Sequence, residues 1–224
     1  MSLGDFLMEG ARELGVTVSD DKLDLFLLYL ENLKKWNERI NLTAIKDDRE
    51  IVLNHFIDSL SIVPFIENDR SLLDIGSGGG FPGIPLKIVH SGLKVTLLDS
   101  ANKKVSFMND TIRKLQLRDI HAVWGRAEDI ENKVPRGSFD YVVTRAVGSI
   151  SNTLRLSSPY VSENGAMVLM RGKKGPKEWI LAKEEIGGDF ELVDSKEFTL
   201  PQSDLVRSIF ILKHNRSSSI SQNS

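Results

Sequence analysis

The stretch Leu72-Leu73-Asp74-Ile75-Gly76-Ser77-Gly78-Gly79-Gly80-Phe81-Pro82-Gly83 joins an apolar run to a cluster of glycines, with a proline where a helix should open. Glycines let the backbone approach a ligand closely, and a helix N-terminus draws the ligand's negative end. Asp99 closes the next apolar run, 23 positions after Gly76. That is the separation expected of a carboxylate that hydrogen-bonds ribose hydroxyls. The implied ligand contains a ribose and is a nucleoside.

Two registers of the glycines compete. Read from Gly76, Asp-x-Gly-x-Gly-x-Gly looks like motif I of the class I S-adenosylmethionine-dependent methyltransferases; read from Gly78, Gly78-x-Gly80-x-x-Gly83 matches a dinucleotide fingerprint. Three features favour the methyl donor. Asp74 stands where such enzymes place an acid facing the methionine amino group. A dinucleotide loop would have to start three residues late, and Pro82 and Pro85 interrupt its pyrophosphate-binding helix. After the third apolar run, Ala127 and Glu128 fall where they can reach the adenine, although Glu128 and Asp129 equally suit the start of a surface helix.

Thr144-Arg145-Ala146-Val147 follows the fourth run, where many methyltransferases keep catalytic residues. An Asn-Pro-Pro-aromatic motif for exocyclic amines is missing, and with no cysteine a covalent pyrimidine adduct is impossible. A ring nitrogen such as guanine N7 needs no base, so no catalytic residue is assigned. Arg145 is a positioning group for a cofactor carboxylate or a substrate phosphate, or else an ion pair at a strand end. Arg171, Lys173, Lys174 and Lys177 place four cations within seven residues, a local anion site suited to RNA phosphates. Lys34, Lys35 and Arg39 read instead as a solvated helix face. His55 and Asp58 read as a hydrogen-bonded pair rather than half of a metal site.

Alternating elements must position these residues. Runs at 72–75, 94–98, 120–124, 141–144 and 166–170 are separated mostly by helical segments at 82–89, 102–115 and 149–160. Buried strands alternating with helices make a doubly wound, Rossmann-like α/β sheet. A helix over 176–186 precedes extended stretches at 190–198 and 205–212, an antiparallel edge hairpin joined by Leu200-Pro201-Gln202-Ser203. An N-terminal helical extension over 1–70 comes first. It holds a stripe of Leu23, Phe26, Leu27, Leu30 and Leu33 behind Ser19 as N-cap, and a face of Val52, Phe56, Leu60 and Val63 behind an Asp47/Glu50 capping box. The methyltransferase domain spans 71–214, and the serine-rich 215–224 reads as a disordered tail.

Of 224 residues, 41% are hydrophobic, enough for a sizeable core. The net charge of −2 supplies no global field for nucleic acid, so a polyanion must meet a local patch. The longest apolar run is Leu25–Leu30, far short of a bilayer span, and Met1–Gly10 has no basic stretch of a targeting signal. A cytoplasmic protein is expected, monomeric, without metal or membrane contact.

Taken together, the chain resembles the ribosomal RNA small subunit methyltransferase G family, formerly glucose-inhibited division protein B. The resemblance runs from about Phe6 to Lys213 and is carried by Lys35-Trp36-Asn37, Asn41-Leu42-Thr43, His55-Phe56-Ile57-Asp58-Ser59-Leu60, the glycine loop extended through Phe81-Pro82-Gly83-Ile84-Pro85-Leu86, Leu97-Leu98-Asp99-Ser100, Lys103-Lys104, Arg126-Ala127-Glu128 and Thr144-Arg145-Ala146. It implies methylation at N7 of one guanine in the decoding-region loop of bacterial 16S ribosomal RNA, with S-adenosyl-L-methionine as donor and the small subunit or its precursor as partner. By resemblance, Gly76, Phe81, Ala127, Glu128 and Arg145 match cofactor-contacting positions, Gly78 lies within the same loop, and Asp99, Ser100 and Ala101 fall at the ribose. The family's Lys-Gly after the fifth strand is Arg171-Gly172 here, and its serine before the arginine is Thr144. The target guanine is expected to leave its stack, with Trp36 and Phe81 as the aromatics within reach. A nicotinamide-dependent oxidoreductase and a non-catalytic nucleoside-binding assembly factor are the rival readings.

Overall fold

In a computed structural model, which describes residues 1–129, 133–145 and 147–215, seven strands form one sheet in the order β3-β2-β1-β4-β5-β7-β6. The strands are β1 (Ser71–Ile75), β2 (Lys94–Asp99), β3 (Ile120–Trp124), β4 (Phe139–Arg145), β5 (Val161–Gly172), β6 (Phe190–Thr199) and β7 (Val206–His214). The first five pair in parallel; β7 runs antiparallel to β5 and carries β6 at the edge. The hairpin expected from sequence is present, and its second strand makes the junction. Residues 216–224, most of the expected tail, and Ala146 lie outside the described residues.

Helices cover both faces, so the central strands are apolar on both sides: β1 is buried from Leu72 to Ile75 and β2 from Val95 to Asp99. On one face α5 (Gly83–Val89) and α6 (Asn102–Lys114) share a single apolar cluster with the N-terminal helices; α7 (Ile150–Ser157) and α8 (Gly175–Ile186) cover the other. The extension comprises α1 (Leu3–Glu13), α2 (Asp20–Asn37), α3 (Asp48–Ile51), a π-helical turn (Val52–Ile57) and α4 (Asp58–Leu60). Helix α1, not anticipated, opens on a reciprocal capping box between Ser2 and Asp5.

Three local expectations need correction. Leu27 is exposed, because the buried stripe of α2 runs through Phe26, Tyr29, Leu30 and Leu33; the aromatic Tyr29, rather than an aliphatic residue, completes it. Ser19 sits at the N-cap of α2 but makes no capping bond, whereas Asp47 accepts from Glu50 N at 2.9 Å and supplies half of the expected box. The helix expected over 47–63 is interrupted by the π turn, which gains one residue and shifts the side chains that follow around the axis.

Candidate cofactor and target site

The strand order reverses between β1 and β4, and the crevice outside their carboxyl ends is where open α/β sheets bind ligands. Two cavities lie there. The first, about 330 Å³, is lined by His55, Asp58, Gly76, Gly78, Phe81 and Arg145, with Arg207 from β7. The second, about 290 Å³, is lined by Asp99, Ser100, Ala127 and Glu128, and both share Gly76. Ala101 lines neither and acts through Asp99.

The glycine loop that joins the cavities turns through left-handed backbone at Gly76, Gly78 and Gly80, with φ of 74°, 59° and 86°. A side chain at Gly80 would place its Cβ 2.4 Å from Ile84 Cδ1 and 2.8 Å from the Tyr29 hydroxyl, so only glycine fits. At Gly78 nothing but the Gly76 carbonyl lies within 4 Å of that position. Five of the loop amides are already engaged. Gly76 N and Ser77 N donate to Leu98 O, Gly80 N and Phe81 N to Ser77 O, and Gly78 N to Asp99 Oδ2 at 2.8 Å. The start of α5 is committed likewise, with Gly83 N on Asp74 Oδ2 at 2.9 Å and Ile84 N on Gly80 O. A pyrophosphate needs free amides at these positions. The loop therefore fits a nucleoside whose charge lies elsewhere.

Asp99 holds its place by accepting from Gly78 N and, through Oδ1, from Ala101 N at 2.8 Å. Each carboxylate oxygen has a further lone pair and Asp99 lines the second cavity, which suits a ribose diol. Ala127 is buried there, its carbonyl accepting the Tyr160 hydroxyl at 2.8 Å, while Glu128 is exposed at the rim. Asp74 departs from expectation. It is wholly buried behind the loop and lines neither cavity, so it braces the turn rather than facing a methionine amino group. Burial pushes its carboxyl up to about 7 against the lowering effect of Gly83 N and Arg145, and its Oδ1 has no partner.

The first cavity is walled by a stacked column. Tyr29 lies 5.3 Å from Phe81 at 21°, and Phe81 lies 4.6 Å from His55 at 16°. The Tyr29 hydroxyl donates to Gly79 O, tying α2 directly to the loop. Arg145 crosses over Phe81 at 5.3 Å and donates to Asn54 O at 2.9 Å, a carbonyl of the π turn. Its guanidinium lies 3.4 Å from Asp58 Oδ2, and Arg207 Nε donates to Asp58 Oδ1 at 2.8 Å. One carboxylate thus aligns two guanidiniums. The expected His55–Asp58 pair does not form; instead His55 turns Nδ1 to Arg145 at 3.3 Å and Nε2 to Thr43 Oγ1 at 2.9 Å. Burial, with help from the Arg145 charge, lowers the His55 pKa to about 4, so the ring is neutral.

Residues expected at RNA divide. Lys173, Lys174 and Lys177 are exposed where β5 gives way to α8. Arg171 is not available: it is 7% exposed, and its guanidinium donates to Gly148 O, Val147 O and Thr153 Oγ1, clamping the segment after β4. Neither aromatic expected at a flipped base is free. Phe81 is 3% exposed inside the column, and Trp36 packs edge-on against Phe107 with its Nε1–H on Asp110 at 2.8 Å. Lys34 and Lys35 pair with Asp48 and Glu31, the solvated face expected of them. Sequence reasoning missed Arg207, whose only signal was a cation at the start of a mostly apolar strand, and Tyr29, which reads as ordinary core.

Comparison with known proteins agrees with this architecture. The family model for rRNA small subunit methyltransferase G matches residues 22–205. Proteins named ribosomal RNA small subunit methyltransferase G are similar from end to end. That of Acetivibrio thermocellus is 43% identical, covering 96% of this chain and 90% of the relative; that of Geobacter sp. strain M21 is 39% identical, covering 96% and 99%. A crystal structure of a SAM-dependent methyltransferase from Aquifex aeolicus shares the fold, with a TM-score of 0.58 at 17% identity over 82% of this chain and 97% of that one. That of M. jannaschii TYW2 in complex with AdoMet gives 0.53 at 14%, over 68% and 73%. With a relative this similar along nearly its whole length, and a nucleoside crevice where the fold puts one, the chain belongs to the rRNA small subunit methyltransferase G family.

Proposed function

We propose that this chain transfers the methyl group of S-adenosylmethionine to N7 of one guanine in the decoding-region loop of bacterial 16S ribosomal RNA. The observation that carries the reading is the pair of cavities meeting at Gly76, one flanked by Asp99 and Ala127, the other by two arginines on one carboxylate. S-adenosylmethionine supplies an electrophilic methyl group on a sulfonium sulfur. Asp99 holds the ribose, Ala127 and Glu128 border the adenine, and Gly76, Gly78 and Phe81 shape the floor under the methionine portion. Arg145 meets its carboxylate.

No side chain in the first cavity is free to take a proton. His55 has both ring nitrogens engaged, and Asp58 is shared between Arg145 and Arg207. Guanine N7 presents a lone pair at neutral pH, so a site without a base suits it. What the protein must do is orient the reacting atoms and exclude water. Three guanidiniums against one carboxylate leave a positive cavity around a sulfonium that loses its charge during transfer. Such surroundings favour the transition state over the ground state. Gly172 lines this cavity, and the exposed Lys173, Lys174 and Lys177 that follow it in the chain supply phosphate contacts. Action on ribosomal RNA puts the enzyme in the cytoplasm, and both cavities are built from one chain, so a monomer suffices. Among the described residues no cluster could hold a metal and no helix is long and apolar enough to cross a membrane.

The test is nucleoside analysis of 16S RNA from a strain lacking this gene. One 7-methylguanosine should be missing and should return with the wild-type gene; an unchanged complement of 7-methylguanosine contradicts the proposal.

A further inference from the structure

The segment Asn41–Lys46, between α2 and α3, is assigned no contact with cofactor or RNA in the reading above, yet it is tightly held. Asn37 Oδ1 accepts from Leu42 N at 2.8 Å and Thr43 N at 3.0 Å, while its Nδ2 donates to Thr43 O at 2.9 Å. Thr43 Oγ1 in turn accepts from Ile45 N at 3.1 Å and meets His55 Nε2, which stacks on Phe81. One amide and one hydroxyl therefore fix the loop to the wall of the target cavity. Leu42, half-buried, lines that cavity on one side. On its other side it lines a groove of about 880 Å³, the largest of the cavities described, bordered by Asn37, Asn41, Ala44 and Lys46.

An RNA chain that delivers one base to the cavity must lay its neighbour immediately beside it, within one nucleotide's reach. A base drawn from its stack leaves an apolar face to be covered, and proteins that unstack bases commonly insert a leucine-sized wedge for this purpose. Phe81 is buried in the stacked column, and half-buried Trp36 is held edge-on against Phe107 with its Nε1–H on Asp110, so neither ring face is presented for stacking. Leu42 stands at the required place, on a loop that loses little entropy on binding because it is already fixed. We infer that the groove along Asn41–Lys46 is the subsite for the nucleotide adjoining the target guanine, and that Leu42 is the wedge separating the two bases. The groove offers that nucleotide the exposed side-chain amide of Asn41 at a base edge and the exposed ammonium of Lys46 for a phosphate. This rests on the RNA-methyltransferase reading and adds the second subsite to it.

The experiment pairs Leu42→Ala with RNA fragments of the decoding-region loop that are intact or abasic at the residue 5′ or 3′ to the target. Binding is read by fluorescence anisotropy, methyl transfer by KM for RNA, and cofactor affinity by calorimetry. Leu42→Ala should weaken RNA binding and raise its KM about tenfold, the order of one lost base contact, while S-adenosylmethionine affinity stays as in the wild type. One of the two abasic fragments should impose a similar loss on the wild type and no further loss on Leu42→Ala. Unchanged RNA affinity in Leu42→Ala, or losses that multiply with both abasic fragments, overturns the wedge. Changed cofactor affinity points to collapse of the loop and overturns it too, with Lys46→Ala, at an exposed side chain, serving as the second variant and expected to lower RNA affinity alone. Failure of the wild type to methylate any fragment or small subunit would overturn the RNA-methyltransferase reading itself, a result separate from a wild type that is active and insensitive at Leu42.

Discussion

Replacing Asp58 by asparagine removes the one negative charge that aligns Arg145 and Arg207. The carboxylate is 7% exposed and the two guanidiniums 21% and 20%, so the pairs lie mostly out of water. Breaking a fully buried ion pair costs about 3–5 kcal/mol, because a charge is left uncompensated. Partial hydration of the arginines returns some of this, which leaves about 2–3 kcal/mol. For a chain of this size, that lowers Tm by about 4–12 °C. Cofactor affinity should fall about ten- to hundredfold, the worth of one charge-assisted hydrogen bond once Arg145 loses its orientation. Thermal unfolding and calorimetry with S-adenosylmethionine measure both. A second cycle sharpens the test: Arg207→Met combined with Asp58→Asn should cost less than the two single losses added, since one positive charge instead of two then faces the neutral amide. A stability change under about 0.5 kcal/mol with unaltered cofactor affinity would refute the idea that Asp58 organises the cavity.

Three further outcomes follow from the same geometry. The folded-state pKa of His55, about 4, lies below its unfolded value of 6.5, so the unfolded chain takes up this proton first. Stability from this site is complete above pH 6.5 and is lost as pH falls toward 4, on the order of 3 kcal/mol; His55→Gln should flatten that acid limb in denaturant titrations, and parallel curves would contradict it. Tyr29→Phe leaves the Gly79 carbonyl without its buried donor, which should cost about 1–3 kcal/mol and raise KM for S-adenosylmethionine while KM for RNA is unmoved; an unchanged cofactor KM would show that α2 does not brace the loop. Lys173, Lys174 and Lys177 changed together to alanine should reduce the slope of log RNA affinity against log salt by about 2, and an unaltered slope would remove this turn from the RNA footprint.

Much of the fold can be read from residue order, because the β/α half of the chain is governed by local rules. Parallel strands buried on both faces must be short apolar runs, and Gly76, Pro82 and Asp99 mark the turn, the helix start and the end of the second strand by their positions alone. The extension is harder, since a π turn is an insertion of one residue that no apolar period announces, and it decides where Asn54, His55 and Asp58 point. Side-chain commitments are harder still. Arg171 reads as a surface cation because it sits among lysines, yet its position inside β5 turns it toward Gly148 and Thr153. Arg207 lies 149 residues from Asp58, and the pairing that joins them depends on β7 inserting beside β5, a long-range fact invisible in any window. Asp74 reads as a ligand contact by its type and place, whereas the tight turn folds its carboxyl back onto Gly83.

The central claim is tested most directly by incubating the purified chain with small subunits that lack the modification and S-adenosylmethionine carrying a deuterated methyl group, then digesting the 16S RNA for mass spectrometry. A single labelled 7-methylguanosine in the decoding-region loop is the predicted product. Label on another atom or another RNA, or none at all, would contradict it.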